Sequence, residues 1–84
     1  MSFDLLDMQS GQRVGTLEFT AAGSPVPRLA DGRGPEVLDY LLDLRTVWLP
    51  SRKARVPADL ANGDCQQAAA AALGVLGIRA VKPT

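Results

Sequence analysis

Histidine is absent from this 84-residue sequence, and cysteine occurs once, at Cys65. Without histidine the chain lacks the commonest general base, the commonest metal ligand and the partner of a Ser-His or Cys-His nucleophile. One cysteine can form neither an internal disulfide nor a cysteine-based zinc site. The glycine patterns of phosphate-binding and dinucleotide-binding loops are also missing. We therefore predict that the protein is not an enzyme and binds no cofactor or metal.

Long hydrophobic runs are missing as well, because no stretch approaches the ~20 apolar residues that cross a membrane. The first ten residues, MSFDLLDMQS, carry acidic side chains where an export signal has basic ones. The hydrophobic share of 46% is nevertheless that of a globular protein. These features predict a single domain over residues 1–84, without membrane association and located in the cytoplasm.

Charge is balanced over the whole chain but unevenly placed along it. Residues 1–44 contain seven acidic and three basic side chains, whereas residues 45–84 contain two acidic and six basic ones. Such asymmetry can mark an interaction surface, but the two halves can also interleave in the fold so that their charges mix. Arginine outnumbers lysine seven to two. With frequent Ala, Gly and Pro, this usage is typical of a GC-rich coding background, so we expect a bacterial or phage origin.

The strongest structural signal is a helix over Asp64–Leu76. Its five consecutive alanines, 68–72, lose almost no side-chain entropy in a helix. Asp64 with Gln67 three residues later forms a capping-box pattern, and Gly77 can end the helix in a left-handed conformation. We interpret Cys65 as a buried structural residue rather than a nucleophile. It belongs to an apolar stripe that predicts packing on a sheet: Cys65, Ala69, Ala72, Leu73 and Leu76.

A second helix is predicted over Pro35–Leu44, since proline suits the first turn of a helix. Asp39 and Asp43 lie on its polar face. A solvated face does not separate two pKa values as paired catalytic carboxylates require, so we assign this pair no catalytic role. Glu36 shares the polar face, and the apolar stripe consists of Val37, Leu38, Leu41 and Leu42.

Several shorter segments have the composition of strands. Phe3–Gln9 and Arg13–Ala21 predict an N-terminal β-hairpin around a turn that contains glycine. Thr46–Leu49 and Ile78–Val81 are short runs rich in β-forming residues. Ser51–Val56 is either a basic loop or a second hairpin arm.

The connection over residues 22–35 contains three prolines and three glycines. Such a density of breakers predicts an irregular segment that is either functional or mobile. Gly32-Arg33-Gly34 stands directly before a predicted helix, where an anion could bind. The pattern is too common to identify an anion site by itself.

Together these segments predict an α+β fold in the order β-β-α-β-(β)-α-β. We expect a two-layer sandwich with both helices on one face of a single sheet. The predicted core is Phe3, Leu5, Leu17, Phe19, Leu38, Leu41, Leu42, Val47, Leu49, Ala69, Ala72, Leu73, Leu76 and Ile78.

One constellation combines basic side chains with the only tryptophan of the chain: Arg45, Trp48, Arg52, Lys53 and Arg55. Tryptophan and arginine are favoured anchors of protein interfaces. The same residues suit a nucleic acid, because cations neutralise phosphates while tryptophan stacks on a base. Alternatively, Trp48 belongs to the core and the cations form a solvated loop or guard an edge strand. The Gly23–Gly34 loop is a second candidate binding segment.

By elimination, the sequence predicts a non-catalytic module that acts by binding a larger protein, such as an inhibitor, an immunity protein or an adaptor. We expect a monomer or a weak homodimer. The alternative is a small nucleic-acid-associated protein that uses the basic Arg45–Arg55 segment. Its overall neutrality argues against that alternative, because dedicated nucleic-acid binders are usually basic.

Overall fold

The computed structural model describes residues 1–83, and the predicted α+β class is confirmed there, with an N-terminal hairpin and two helices. Two α-helices and six strands occur among the described residues. Their bounds are β1 Ser2–Asp7, β2 Arg13–Phe19, β3 Pro25–Leu29, α1 Gly34–Asp43, β4 Thr46–Leu49, β5 Ala54–Pro57, α2 Gly63–Ala71 and β6 Ile78–Val81. No helix in this part of the chain is long and apolar enough to span a membrane.

The larger sheet has the strand order β3-β2-β1-β6, and all three strand pairs are antiparallel. Its N-terminal hairpin turns at a stretch where the Asp7 carboxylate accepts hydrogen bonds from the Gln9 amide and the Ser10 hydroxyl. Leu5 and Leu17 are fully buried on one face of this sheet. Phe3 and Phe19 lie on the same face and contact each other edge to face, with ring centroids 6.3 Å apart. Both helices pack on the core that this face forms.

The prediction that residues 22–35 are irregular is wrong, because Pro25–Leu29 forms strand β3. The Ala30 amide donates to the Val14 carbonyl at 2.9 Å. Antiparallel pairs alternate between hydrogen-bonded and non-hydrogen-bonded positions, so the backbone nitrogens of Pro25 and Pro27 point away from β2. Proline has no amide hydrogen to donate, and at these positions the sheet requires none. Two prolines are therefore compatible with an edge strand here.

Helix α1 begins one residue before the predicted start, with Pro35 in its first turn. It buries Val37 and Leu41, which are four residues apart and lie on one stripe. Leu42 was predicted to be a core residue, and this is wrong, since 64% of its surface is exposed. One residue corresponds to a rotation of ~100° around a helix, so Leu42 points well away from the stripe that Leu41 shares with the sheet.

The predicted helix over Asp64–Leu76 is present as α2 followed by a 3₁₀ segment, Ala72–Leu76. Gly77 ends it in the left-handed region with φ 73°, as predicted. The N-cap prediction is wrong, because the cap is Asn62 and not Asp64. The Asn62 side-chain oxygen accepts hydrogen bonds from the Asp64 and Cys65 amides at 2.8 and 3.3 Å. Asparagine caps a helix as well as aspartate does, and its earlier position starts the helix sooner.

Strands β4 and β5 form a separate two-stranded sheet, so the expectation of a single sheet is wrong. The uncertain second hairpin arm is a strand, β5. Val47 and Leu49 of β4 point into the core, where they join Ala69 and Ala70 of α2 in one buried cluster. The small alanine side chains let this hairpin pack closely beside α2.

The buried core contains most of the predicted residues. Predicted core residues that are only partly buried are Leu38, Ala72 and Leu76. Gln66 is a buried polar residue, and its side-chain amide donates to the Leu60 carbonyl at 2.7 Å. The buried hydrophobic residues are Phe3, Leu5, Leu17, Phe19, Val37, Leu41, Val47, Leu49, Cys65, Ala69, Ala70, Leu73 and Ile78.

Candidate functional site

The β4–β5 hairpin has two faces of opposite character. On β4, Val47 and Leu49 are buried, whereas Trp48 between them is 51% exposed. Successive side chains of a strand point to opposite faces, so burial of Val47 and Leu49 turns Trp48 outward. The interpretation of Trp48 as a core residue is therefore wrong. Large apolar side chains exposed beside other apolar surface commonly mark interaction sites.

Arg55 lies directly opposite Trp48 in the strand register, on the same outer face. Its guanidinium reaches across β4 to Thr46. There Nε donates to the threonine hydroxyl oxygen at 3.1 Å, and a terminal nitrogen donates to the threonine carbonyl oxygen at 3.3 Å. These hydrogen bonds hold the positive charge of Arg55 against Thr46, two residues before Trp48 on the same face of β4.

The three other predicted site residues lie at the two ends of β4. Arg45 precedes the strand, and Arg52 and Lys53 form the tip of the hairpin. All three are exposed. Both ion pairs found among residues 1–83, Arg13–Asp4 and Arg33–Asp31, lie in the first half of the chain. Within the described residues, no ion pair therefore involves the hairpin cations, by which we mean Arg45, Arg52, Lys53 and Arg55.

The tip of the hairpin carries backbone strain at Lys53. Its φ of 49° makes it the only non-glycine residue with a positive φ among residues 1–83. A left-handed residue of this kind costs ~1–2 kcal/mol. Two backbone hydrogen bonds close the turn, from Arg52 to Leu49 at 3.1 Å and from Lys53 to Pro50 at 3.3 Å. They keep the two basic side chains at the end of the hairpin.

A groove of about 700 Å³ lies beside Trp48, between β4, the end of α1 and the outer face of α2. Tyr40 of α1 and Leu44 directly after this helix form one wall, and Trp48 forms another. Val75, which is 73% exposed, stands at the open side. On the α2 side, the groove is lined by small side chains and, nearer the N-terminus of the helix, by two polar ones: Ala68, Ala71 and Ala72, with Asp64 and Gln67.

The alanine run predicts only a surface for core packing, so the sequence pattern does not indicate the α2 side of the groove. Five consecutive alanines cover every direction around a helix. Ala69 and Ala70 face the core, and Ala68 and Ala71 line the groove. The sequence signal for a second apolar face is that the alanines surround the helix axis, whereas a helix with one solvated face carries polar residues on that face.

Cys65, Asp39 and Asp43 are not among the residues that line the groove. Cys65 is buried, with its sulfur 3.9 Å from the Pro57 carbonyl oxygen. Asp39 and Asp43 are exposed on α1. No three histidine, cysteine, aspartate or glutamate side chains within residues 1–83 come together in a way that could hold a metal ion.

Arg33, in the Gly32-Arg33-Gly34 sequence, is already engaged by Asp31. The guanidinium Nε lies 2.6 Å from Asp31 Oδ2, and the Arg33 amide donates to Oδ1 at 3.1 Å. Desolvation raises the pKa of Asp31, but these hydrogen bonds and the guanidinium charge outweigh it and hold the pKa below its ordinary value. The pair therefore stabilises the turn before α1.

Comparisons with protein-family models, with curated proteins and with solved structures found no match for this chain.

Proposed function

We propose that this protein is a non-catalytic module that binds a larger protein through the outer face and tip of the β4–β5 hairpin. The contact residues are Arg45, Trp48, Arg52, Lys53 and Arg55. Its role is that of an inhibitor, immunity protein or adaptor in the cytoplasm, of bacterial or phage origin. The observation that carries the proposal is the half-exposed Trp48, which lines an apolar groove and lies opposite Arg55 in the strand register.

The energetic argument starts from the exposed indole. A tryptophan side chain buries up to roughly 250 Å², so a half-exposed one has on the order of 100 Å² left to cover. Covering that area is worth about 2.5 kcal/mol. The adjoining groove allows a partner to surround the ring rather than touch it from one side. Surrounded aromatic anchors of this kind dominate binding energy at protein interfaces.

The exposed cations near this anchor favour a partner of opposite charge. Arg45, Arg52 and Lys53 are exposed and have no acidic partner within residues 1–83. Unpaired charges at an interface rim raise association rates with partners of opposite charge and disfavour partners of like charge. The proposed partner therefore presents an acidic surface to the hairpin.

A nucleic acid is the second candidate, because Trp48 and Arg55 share one exposed face. A base could stack on the indole while the surrounding cations contact phosphates. Against this stands the net charge of zero over the whole chain, since dedicated nucleic-acid binders are usually basic.

The deciding experiment is substitution of Trp48→Ala, with Leu42→Ala as the matched control. Both residues are exposed apolar side chains, but only Trp48 lines the groove. A partner captured from extracts of the source cell is identified, purified and titrated against each variant after circular dichroism confirms folding. We expect Trp48→Ala to weaken binding at least ~10-fold and Leu42→Ala to leave it within about twofold. Equal binding by wild type and Trp48→Ala would show that the site is elsewhere.

Charge reversal tests the rim separately. We expect Arg52→Glu with Lys53→Glu to slow association with the partner, while Asp39→Lys with Asp43→Lys on α1 does not. Since Trp48 is the only tryptophan, its fluorescence also tests the alternative. Quenching by a single-stranded oligonucleotide that weakens steeply with added salt would favour a nucleic-acid function.

A further inference from the structure

We propose that the partner is bound as an extended acidic segment, which pairs as an added strand with the free edge of β4 inside the groove. This inference rests on the proposed function and specifies the chemistry of its partner. It depends on the direction of the β4 backbone groups and on what borders them.

The free edge of β4 presents unpaired backbone groups. The Ala58 amide donates to the Arg45 carbonyl at 2.9 Å, so this position is hydrogen-bonded. Pairing alternates along an antiparallel ladder, which makes Thr46 and Trp48 the residues whose N–H and C=O groups point away from β5. Thr46 pairs with Pro57, which has no N–H, as expected of a position that requires no hydrogen bond.

These outward-pointing backbone groups of β4 make almost no hydrogen bonds within residues 1–83. No hydrogen bond there uses the amide of Thr46 or Trp48, and the Thr46 carbonyl accepts only the 3.3 Å contact from Arg55. The β4 strand ends at Leu49 and is followed by Pro50, whose missing N–H limits pairing to the stretch before it. An added strand of about four to five residues would match this length.

The same edge faces the groove. Six consecutive residues, 46–51, line the groove, whereas β5 contributes only Arg55. A continuous run includes residues of both strand faces, so the groove borders the edge of the strand rather than one face. On its other side the alanines of α2 leave room for a second backbone, because alanine is the smallest side chain with a Cβ.

The groove and its rim select the side chains of the added strand. Residues facing α2 must be small and apolar where they meet Ala68 and Ala71, and the two polar α2 residues of the lining, Asp64 and Gln67, lie nearer its N-terminus. Residues on the opposite face meet Arg55 and the other hairpin cations, which favour glutamate or aspartate. The bound segment therefore alternates acidic and small apolar residues, a pattern with the period of a strand.

A second copy of this chain is the less favourable occupant. Pairing of two β4 edges would bring together two hairpins that each carry Arg45, Arg52, Lys53 and Arg55. Like charges placed opposite each other across strands destabilise the pairing. An acidic segment reverses the sign of that interaction.

The test uses a fluorescein-labelled peptide of three Glu-Val repeats, capped at both ends, and measures binding by anisotropy and by Trp48 fluorescence. We expect saturation below about 1 mM, whereas the matching Lys-Val peptide should not bind. Two N-methylated versions, one on the valines and one on the glutamates, distinguish backbone pairing from side-chain contact. Amides alternate in direction along a strand, so one version should bind at least ~10-fold more weakly than the other.

A proline substitution in β4 provides the complementary test. Thr46→Pro removes an outward N–H from β4, and we expect it to weaken peptide binding at least ~10-fold. Thr46→Ala controls for the lost hydroxyl. Ala80→Pro makes the same change at an outward position of β6, another sheet edge, and should leave binding unchanged. Because the N-methylated peptides are tested on the wild-type protein, misfolding of Thr46→Pro would not remove the test.

Several outcomes would overturn strand addition. They are failure of the Glu-Val peptide to bind at about 1 mM, equal binding of the two N-methylated peptides, and displacement of the peptide by a single-stranded oligonucleotide. Concentration-dependent dimers that disappear in Thr46→Pro would instead identify a second copy as the occupant. If the purified partner depends on Trp48 but not on the Thr46 amide, the proposed function stands and strand addition fails. If it depends on neither, both fail.

Discussion

Strands β3 and β4 are both edge strands, and their exposed edges differ in one chemical group. On β3, two of the three outward-pointing backbone nitrogens belong to Pro25 and Pro27, which carry no hydrogen, and only Leu29 keeps an outward amide. On β4, they belong to Thr46 and Trp48, which do. An approaching strand can donate to either edge, but only β4 can donate in return at these positions. The first edge is therefore largely protected against pairing and the second is available for it.

The surroundings of the two edges also leave β4 more accessible to an added strand than β3. Helix α1 starts close to β3, where a Cβ added at Gly34 would lie 3.8 Å from the Pro27 carbonyl oxygen. Beside β4, the space next to the edge is a groove of about 700 Å³. Proteins commonly cover or block sheet edges that would otherwise aggregate. An edge left open next to an exposed tryptophan is therefore a functional candidate.

The largest expected effect comes from a substitution that disrupts the packing of β3 against β2. Gly15 on β2 lies so close to β3 that an added Cβ would come within 2.0 Å of the Arg28 carbonyl oxygen. Backbone must move to relieve that overlap, so we expect Gly15→Ala to lower the free energy of unfolding by roughly 3 kcal/mol in urea denaturation. Gly11→Ala is the control. Gly11 has φ 74° with nothing within 4 Å of the added Cβ, so only ~1–2 kcal/mol of backbone strain is expected. Equal losses in the two variants would mean that β2 and β3 are not so closely packed.

A smaller effect would convert the protected edge into an available one. Pro25→Val with Pro27→Val keeps apolar side chains and restores two outward amides on β3. We expect a stability loss of about 1 kcal/mol or less from the more flexible unfolded chain. The more informative change is self-association, measured by sedimentation over a range of concentrations. A double variant that stays as monomeric as the wild type would show that the prolines do not protect this edge.

The smallest expected effect concerns pH at the turn after β3. The pKa of Asp31 is lowered in the folded protein, so this carboxylate stabilises the fold above its unfolded pKa. That contribution is lost as the pH falls through the lower folded pKa. We expect wild type to lose slightly more stability than Asp31→Asn between neutral and acidic pH, as measured by thermal unfolding. Parallel curves for the two proteins would exclude a role for the Asp31–Arg33 pair.

Local signals in the sequence were enough to predict the helices. Pro35 and Gly77 act through their own backbone preferences, and both occupy the predicted helix ends. The cap at Asn62 could have been recognised, because asparagine, like aspartate, is a preferred capping residue. Leu42 could not be excluded from the core by pattern alone. Its exposure depends on how wide a stripe of α1 the sheet covers.

The predicted site residues lie on one hairpin, but their relation to the groove could not be inferred from the sequence. Alternation along β4 requires Val47 and Leu49 to face opposite to Trp48. It does not state which of the two faces is buried. That choice is made when α2, which follows in the chain, packs on the hairpin and takes up Val47 and Leu49.

The sequence by itself determined the helices, the N-terminal hairpin and the cluster of cations around one tryptophan, because each depends on residues close together in the chain. Only the tertiary structure decided that prolines at 25 and 27 fit a strand and that the edge of β4 remains open. The physical reason is that a backbone N–H contributes to strand pairing only through an acceptor that lies next to it in space. Which amides point outward depends on the register between strands, and what covers them depends on helices elsewhere in the chain.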